Sequence, residues 1–139
     1  MAEHLLASAL QNESSPLKEL KVISAGVSAI DGDGASFNSI DAMKEVGIDI
    51  QDHQSKRLNL EMIQSSIAIF VMTESHRALI HMTYDNLETP VYLMREFLKD
   101  ADDQIPDPFG QSLEIYRLSR ESMQEAITSL IDFLKKELK

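Results

Sequence analysis

Apolar residues recur along this chain at two different spacings, and the alternation between them organises everything else. Leu5, Leu6, Ala9 and Leu10 fall on one helical face, which predicts a short helix over residues 1 to about 11. Asn12 to Pro16 is a polar break, and Leu20, Val22 and Ile23 then read as a buried strand over Leu20–Ala25. Val27 to Ala35 is a loop holding Gly32 and Gly34. Phe37, Ile40, Met43 and Val46 share a face and predict a helix over 36–46, with Gly47 just past its end. An extended polar stretch, 48–57, carries His53, and a short helix follows over 58–64. Ile67 to Met72 is a continuous apolar run, the signature of a strand covered by helices on both sides. Thr73 is placed to cap a helix over 74–82, Val91–Leu93 reads as a short strand after Pro90, and 95–99 as a helical turn. From Ser112 to the end, Leu113, Tyr116, Met123, Ile127, Leu130, Ile131, Leu134 and Leu138 repeat at three and four, a long helix whose last turns hold Lys135, Lys136 and Lys139. Helix and strand alternate throughout, so the expected class is α/β: one domain over 1–139, a parallel sheet with helices on both faces.

Composition narrows the function. With 43% hydrophobic and 26% charged residues the chain is globular in character. No apolar run approaches the roughly 18 residues of a membrane span, and Met1-Ala2-Glu3-His4 is polar and mixed, so the expected location is the cytoplasm with no membrane partner. A net charge of −10 argues against nucleic acid, whose binding rests on neutralising phosphates. The absence of cysteine removes disulfides, thiolate metal sites and any cysteine nucleophile.

Familiar motifs are few. Neither a G-x-G-x-x-G nor a G-x-x-x-x-G-K sequence is present, nor an H-E-x-x-H. Asp31-Gly32-Asp33-Gly34 is acidic and lacks the glutamate that closes a calcium loop, so it reads as a surface turn. His76 and His81 stand five apart on a helix and do not share a face, and no metal site or cofactor is expected. His53 is a loop histidine, of the kind that serves a hydrogen-bonding role more often than a catalytic one. The stretch Gln104-Ile105-Pro106-Asp107-Pro108-Phe109-Gly110 differs from its surroundings. Two prolines hold Asp107 in a stiff, non-helical loop beside a ring, as a turn former or as an acid presented to a partner.

Several of these pieces fall in a familiar order: Ser24-Ala25-Gly26 after the first strand, Gly47-Ile48-Asp49-Ile50, His53-Gln54-Ser55-Lys56-Arg57-Leu58, Met72-Thr73 with His76 beyond, Leu93-Met94-Arg95-Glu96-Phe97-Leu98, and Asp107-Pro108-Phe109-Gly110 with Tyr116 downstream. In this sequence and at these spacings the chain resembles the low-molecular-weight protein tyrosine phosphatase family over almost its whole length. The Asp-Pro-Phe-Gly version is similar to the bacterial branch, which includes phosphotyrosine and phosphoarginine phosphatases. The resemblance implies a flavodoxin-like architecture and a phosphocysteine mechanism on a phosphorylated protein substrate. It implies that Asp107 is the general acid and base, that Phe109 lines the substrate cleft, and that Ser24 and His53 orient the phosphate loop from behind.

The family's signature runs Cys, five residues, Arg, Ser or Thr, and commonly Pro-Met-Ala-Glu, and this sequence opens at Met1-Ala2-Glu3. By that resemblance the first, inner strand, the nucleophile and the phosphate-binding arginine have no counterpart here. The expectation is therefore an amino-terminally truncated phosphatase domain without activity. The strands at Leu20–Ala25 and Ile67–Met72 would then close up, or a partner chain would complete the sheet through a homodimer at the vacated edge, or the true start would lie upstream. A non-catalytic remnant that binds a partner is the alternative. A generic flavodoxin-like binding domain is a weaker third, since no glycine-rich phosphate loop is present. An in-frame Cys-x5-Arg-Ser/Thr-Pro ahead of the Met1 codon separates the first reading from the second.

Overall fold

The computed structural model describes residues 1–27, 30–99 and 101–138. Ser28 and Ala29 of the expected loop, Asp100 of the acidic run and Lys139 lie outside them. In chain order the elements are α1 (Ala2–Leu10), a 3-10 turn (Leu17–Glu19), α2 (Phe37–Lys44), α3 (Leu60–Gln64), β1 (Ile69–Val71), α4 (Glu74–Thr83), β2 (Val91–Leu93) and α5 (Leu113–Glu137). Among the described residues no helix is long and apolar enough to cross a membrane.

Caps set the helix starts. The Ser36, Asn59 and Thr73 side chains accept from the backbone N–H three residues on, at the head of α2, α3 and α4 respectively. Gly47 follows α2 at φ 79°, a left-handed position where glycine carries no Cβ penalty. The helical turn expected over 95–99 is present as hydrogen-bonded turns rather than a helix.

β1 and β2 pair in parallel, Ile69 with Val91, Phe70 with Tyr92 and Val71 with Leu93. The pleat sends alternate side chains to opposite faces. Val71, Val91 and Leu93 pack with Ile80 of α4 on one side. Phe70 and Met72 pack on the other, against a core of Leu5, Leu6 and Leu10 from α1, Met43 from α2, and Met123, Ala126, Ile127, Leu130, Ile131 and Leu134 from α5. Tyr92 meets Phe133 edge-on at 4.9 Å on that same side. Helices thus cover both faces of a parallel sheet, as the α/β pattern requires.

The strand expected at Leu20–Ala25 does not form. The segment is irregular: Gly26 makes a parallel bridge with Arg57, Ser24 bonds to Glu3 of α1, Leu20 and Val22 pack partly on the core, and Lys21, Ile23, Ser24 and Ala25 are exposed. The expected burial fails, since Ile23 is 39% exposed and Leu20 and Val22 are only partly buried. A strand exists through its ladder, and among the described residues this segment has none. The same holds for the far edge of β1, which among the described residues pairs with β2 alone. Direct closure of 20–25 onto β1 is therefore also corrected. The apolar run 67–72 contracts to the three residues that have a partner, and Ile67 is 54% exposed.

Charge fastens α2 to α5. Glu45, just past α2, accepts from Arg117 at 2.6–3.0 Å and from Arg120 at 2.8 Å, and Arg120 also donates to the Ala42 carbonyl at 2.6 Å. These hydrogen bonds, Arg117 first, lower the Glu45 carboxyl from its ordinary 4.5 to about 2. A folded pKa below the unfolded one stabilises above the unfolded value and is lost as pH falls towards the folded value. Wild type and Glu45→Gln are therefore expected to differ most in unfolding free energy above pH 4.5 and to converge as pH falls towards 2. Denaturant titrations across that window read the gap, and a gap that stays constant would contradict this assignment.

Candidate functional site

The two sets of residues singled out by the sequence lie at different places around the start of α1. The first is the acid loop. Ile105 is buried, and its N–H donates to the Met72 carbonyl at 2.8 Å, so the loop is pinned to the end of β1. Its incoming limb is held by Arg95, a buried guanidinium that donates to the Asp102 carbonyl at 2.6 Å and the Ser122 carbonyl of α5 at 2.8 Å. Gln104 accepts from the Glu74 N–H at the head of α4 at 3.0 Å. On the outgoing limb Asn38 of α2 donates to the Gln111 carbonyl at 3.0 Å. Gly110 sits at φ 78°, a conformation that turns the chain towards α5.

Between these anchors Asp107 is exposed, and its Oδ1 accepts from the Phe109 N–H at 3.0 Å. That Asx turn fixes one carboxylate oxygen and leaves the other free for a ligand. Asp107 borders a cleft of about 250 Å³ with Met1, Ser36, Met72, His76 and Tyr116. The cleft is lined mostly by apolar side chains, with Ser36, Ser39, His76 and Asp107 as its polar groups. Phe109, expected to line the cleft, does not: it stands 79% exposed next to Pro108, and the ring that lines the cleft is Tyr116.

The second set gathers on Glu3. Ser24 donates to Glu3 Oε1 twice, from its N–H at 2.8 Å and its hydroxyl at 3.1 Å. His53 Nδ1 lies 3.6 Å from Glu3 Oε2, and His4 Nε2 lies 3.0 Å from the same oxygen. The two imidazoles meet edge to face, Nε2 of His4 to Nδ1 of His53 at 3.1 Å. Burial holds the His53 imidazole below its ordinary pKa; Glu3 opposes this, while His4, the Met1 amino group and Lys56 reinforce it. Ser24 and His53 are thus brought together, through a carboxylate on the first turn of α1. Asp107 is not part of that cluster; the cleft it borders reaches α1 at Met1.

Sequence reasoning missed Glu3, His4, Ser36 and Tyr116 as site residues. Glu3 and His4 belong to an amphipathic helix whose apolar face drew attention. Only the Met-Ala-Glu end of the family signature marked Glu3, and nothing marked His4.

The family model described as low molecular weight phosphotyrosine protein phosphatase matches residues 1–139. A protein-arginine-phosphatase of Geobacillus stearothermophilus is 32% identical over 133 residues, covering 96% of this chain and 88% of that protein. The solved YwlE arginine phosphatase from the same organism superposes with a TM-score of 0.82 at 30% identity, covering 98% of this chain and 84% of that one. A low molecular weight protein tyrosine phosphatase from T. tengcongensis superposes with a TM-score of 0.81 at 28% identity, covering 94% and 87%.

Proposed function

The chain belongs to the low molecular weight phosphotyrosine protein phosphatase family, and from that premise we propose that residues 1–139 carry the acid loop and substrate cleft of a site for phosphorylated protein side chains, without turnover of their own. The observation that carries this reading is Asp107 at the rim of the cleft, on a loop fastened to β1, α2, α4 and α5. In the family's reaction a cysteine thiolate takes the phosphoryl group while an aspartic acid protonates the departing atom, and the aspartate then draws a proton from the water that hydrolyses the phosphocysteine. Asp107 has the place and the free oxygen for both proton transfers. Phe109, two residues on and exposed, supplies a ring that could stack on a substrate side chain from outside the cleft, while Tyr116 is the ring that lines it. Ser24 and His53 act at a remove, by fixing Glu3 at the start of α1. The relatives named arginine phosphatases favour phosphoarginine over phosphotyrosine.

The first chemical step needs a thiolate, and this chain contains no cysteine. General acid catalysis typically contributes ~10²–10⁴-fold, and only on a bond that a nucleophile is already attacking. The 139-residue chain is therefore expected to release no phosphate above a blank from an aryl phosphate or a phosphoarginine peptide, with Asp107→Ala indistinguishable from wild type. Turnover that Asp107→Ala removes would overturn the proposal.

A second reading, a non-catalytic protein that binds a partner or a second copy, is favoured by the one-sided pairing of β1 and by Ile23 and Ile67, which are 39% and 54% exposed. Sedimentation of the same preparation at rising concentration separates the two: a reversible dimer supports the second reading, and a monomer throughout removes the homodimer from it.

A further inference from the structure

We propose that Glu3, His4 and His53 form a site for a divalent transition-metal ion, zinc above all, with three protein ligands and one open coordination position. Three potential ligand atoms converge from two distant parts of the chain: Glu3 Oε2, His4 Nε2 and His53 Nδ1. Their mutual separations are 3.0, 3.1 and 3.6 Å. A tetrahedral zinc ion with bonds of about 2.0–2.1 Å places neighbouring ligand atoms roughly 3.3 Å apart, within the range found here. Protons alone satisfy the arrangement poorly. A single imidazole N–H on His4 Nε2 cannot point straight at both the Glu3 oxygen and the His53 nitrogen, so one of these short contacts is left bent. A cation at their centre engages all three at once.

The surroundings are those of a ligand set held in place. The other oxygen of Glu3, Oε1, is fixed by the N–H and hydroxyl of Ser24, the outer support that orients a metal-bound carboxylate. Glu3 and His4 sit on the first turn of α1, whose Leu5, Leu6 and Leu10 are packed into the core, so two ligands stand on a rigid element. The three side chains retain 19–29% of their exposure, enough for an ion and a solvent ligand to enter. Two imidazoles and one carboxylate suit zinc among the common borderline ions, and the set has no sulfur that would demand a softer metal. Glu3 and His53 also have a supporting place in the proposed function, but neither Asp107 nor the cleft contributes a ligand, so metal binding and the acid-loop reading fail separately.

Calorimetric titration of the chelator-treated chain with a zinc salt is expected to give one equivalent bound at micromolar affinity or tighter. Cobalt substitution is expected to give the intense visible bands of a four-coordinate ion. His4→Gln and His53→Gln should each weaken binding by at least the roughly 10–100-fold that outer-sphere changes alone produce, Ser24→Ala by the lower part of that range, and His81→Gln not at all. Circular dichroism confirms that each variant is folded, and the cobalt spectrum of the wild-type chain stands without any variant. Absence of a stoichiometric heat and of cobalt bands would overturn the proposal. So would zinc binding that survives unchanged in both His4→Gln and His53→Gln.

Discussion

Arg95→Ala is expected to destabilise the protein by about 3 kcal/mol and to loosen the loop that carries Asp107. Arg95 is 6% exposed, and its guanidinium donates to two carbonyls that belong to different parts of the chain, Asp102 in the acid loop and Ser122 in α5. Hydrogen bonds to charged groups contribute ~1.5–3 kcal/mol each, and Asp102 is exposed enough for water to replace part of the loss, which places the sum near the lower limit. The ion pair to Glu125, at 3.4 Å and largely in solvent, adds little. Arg95→Lys separates geometry from charge. A single ammonium lacks the planar fork that reaches both carbonyls, so lysine should recover only part of the difference. Denaturant unfolding gives the energy, and limited proteolysis at 101–111 gives the loop. Equal stability and equal cleavage in wild type and Arg95→Ala would mean that Arg95 fills space without fastening anything.

Leu130→Ala should cost between about 2 and 5 kcal/mol, the range for truncating a fully buried leucine. Leu130 is 0% exposed, on the stripe of α5 that packs in one cluster with Leu5, Leu6 and Leu10 of α1 and Met43 of α2. Truncation there leaves a cavity where three helices meet, and α1 feels it directly because it packs on α5. Leu130→Met keeps the volume and should cost less than about 1.5 kcal/mol. The difference between the two variants, read from unfolding midpoints at equal slope, isolates packing from any change in helix propensity. An alanine variant within half a kcal/mol of methionine would show that the cluster can collapse around the gap.

Much of the fold could be read from the order of residues because helices carry their own hydrogen bonds. The three-and-four spacing from Leu113 to Leu138 needs no information from elsewhere, and α5 starts and ends within two residues of that reading. The polar cap at Thr73 was local in the same sense, and the Ser36 cap lies one residue from the expected helix start. Strands are different. Leu20–Ala25 has a strand's composition, yet whether it becomes one depends on a neighbour that composition cannot supply. The acid loop was legible because prolines restrict φ at their own positions, and Asp107 stands at the cleft rim on that loop. The Glu3–His4–His53 cluster was not, since its members lie 49 residues apart and only the tertiary fold brings them together. Ser24 and His53 were marked by resemblance; that a carboxylate joins them follows only from the packing of α1.

Among the described residues β1 pairs on one side only, with a consequence for copies of this chain in concentrated solution. A strand edge without a partner beside exposed Ile67 is the kind of feature on which another molecule can add a strand. At neutral pH ten net negative charges keep copies apart. Near the isoelectric point of 4.7 that repulsion vanishes, while Glu45, with its carboxyl lowered to about 2, still holds α2 against α5. Mild acid is therefore expected to lower solubility while the Glu45 contacts persist, and turbidity followed with circular dichroism along one pH series reads the order of the two events.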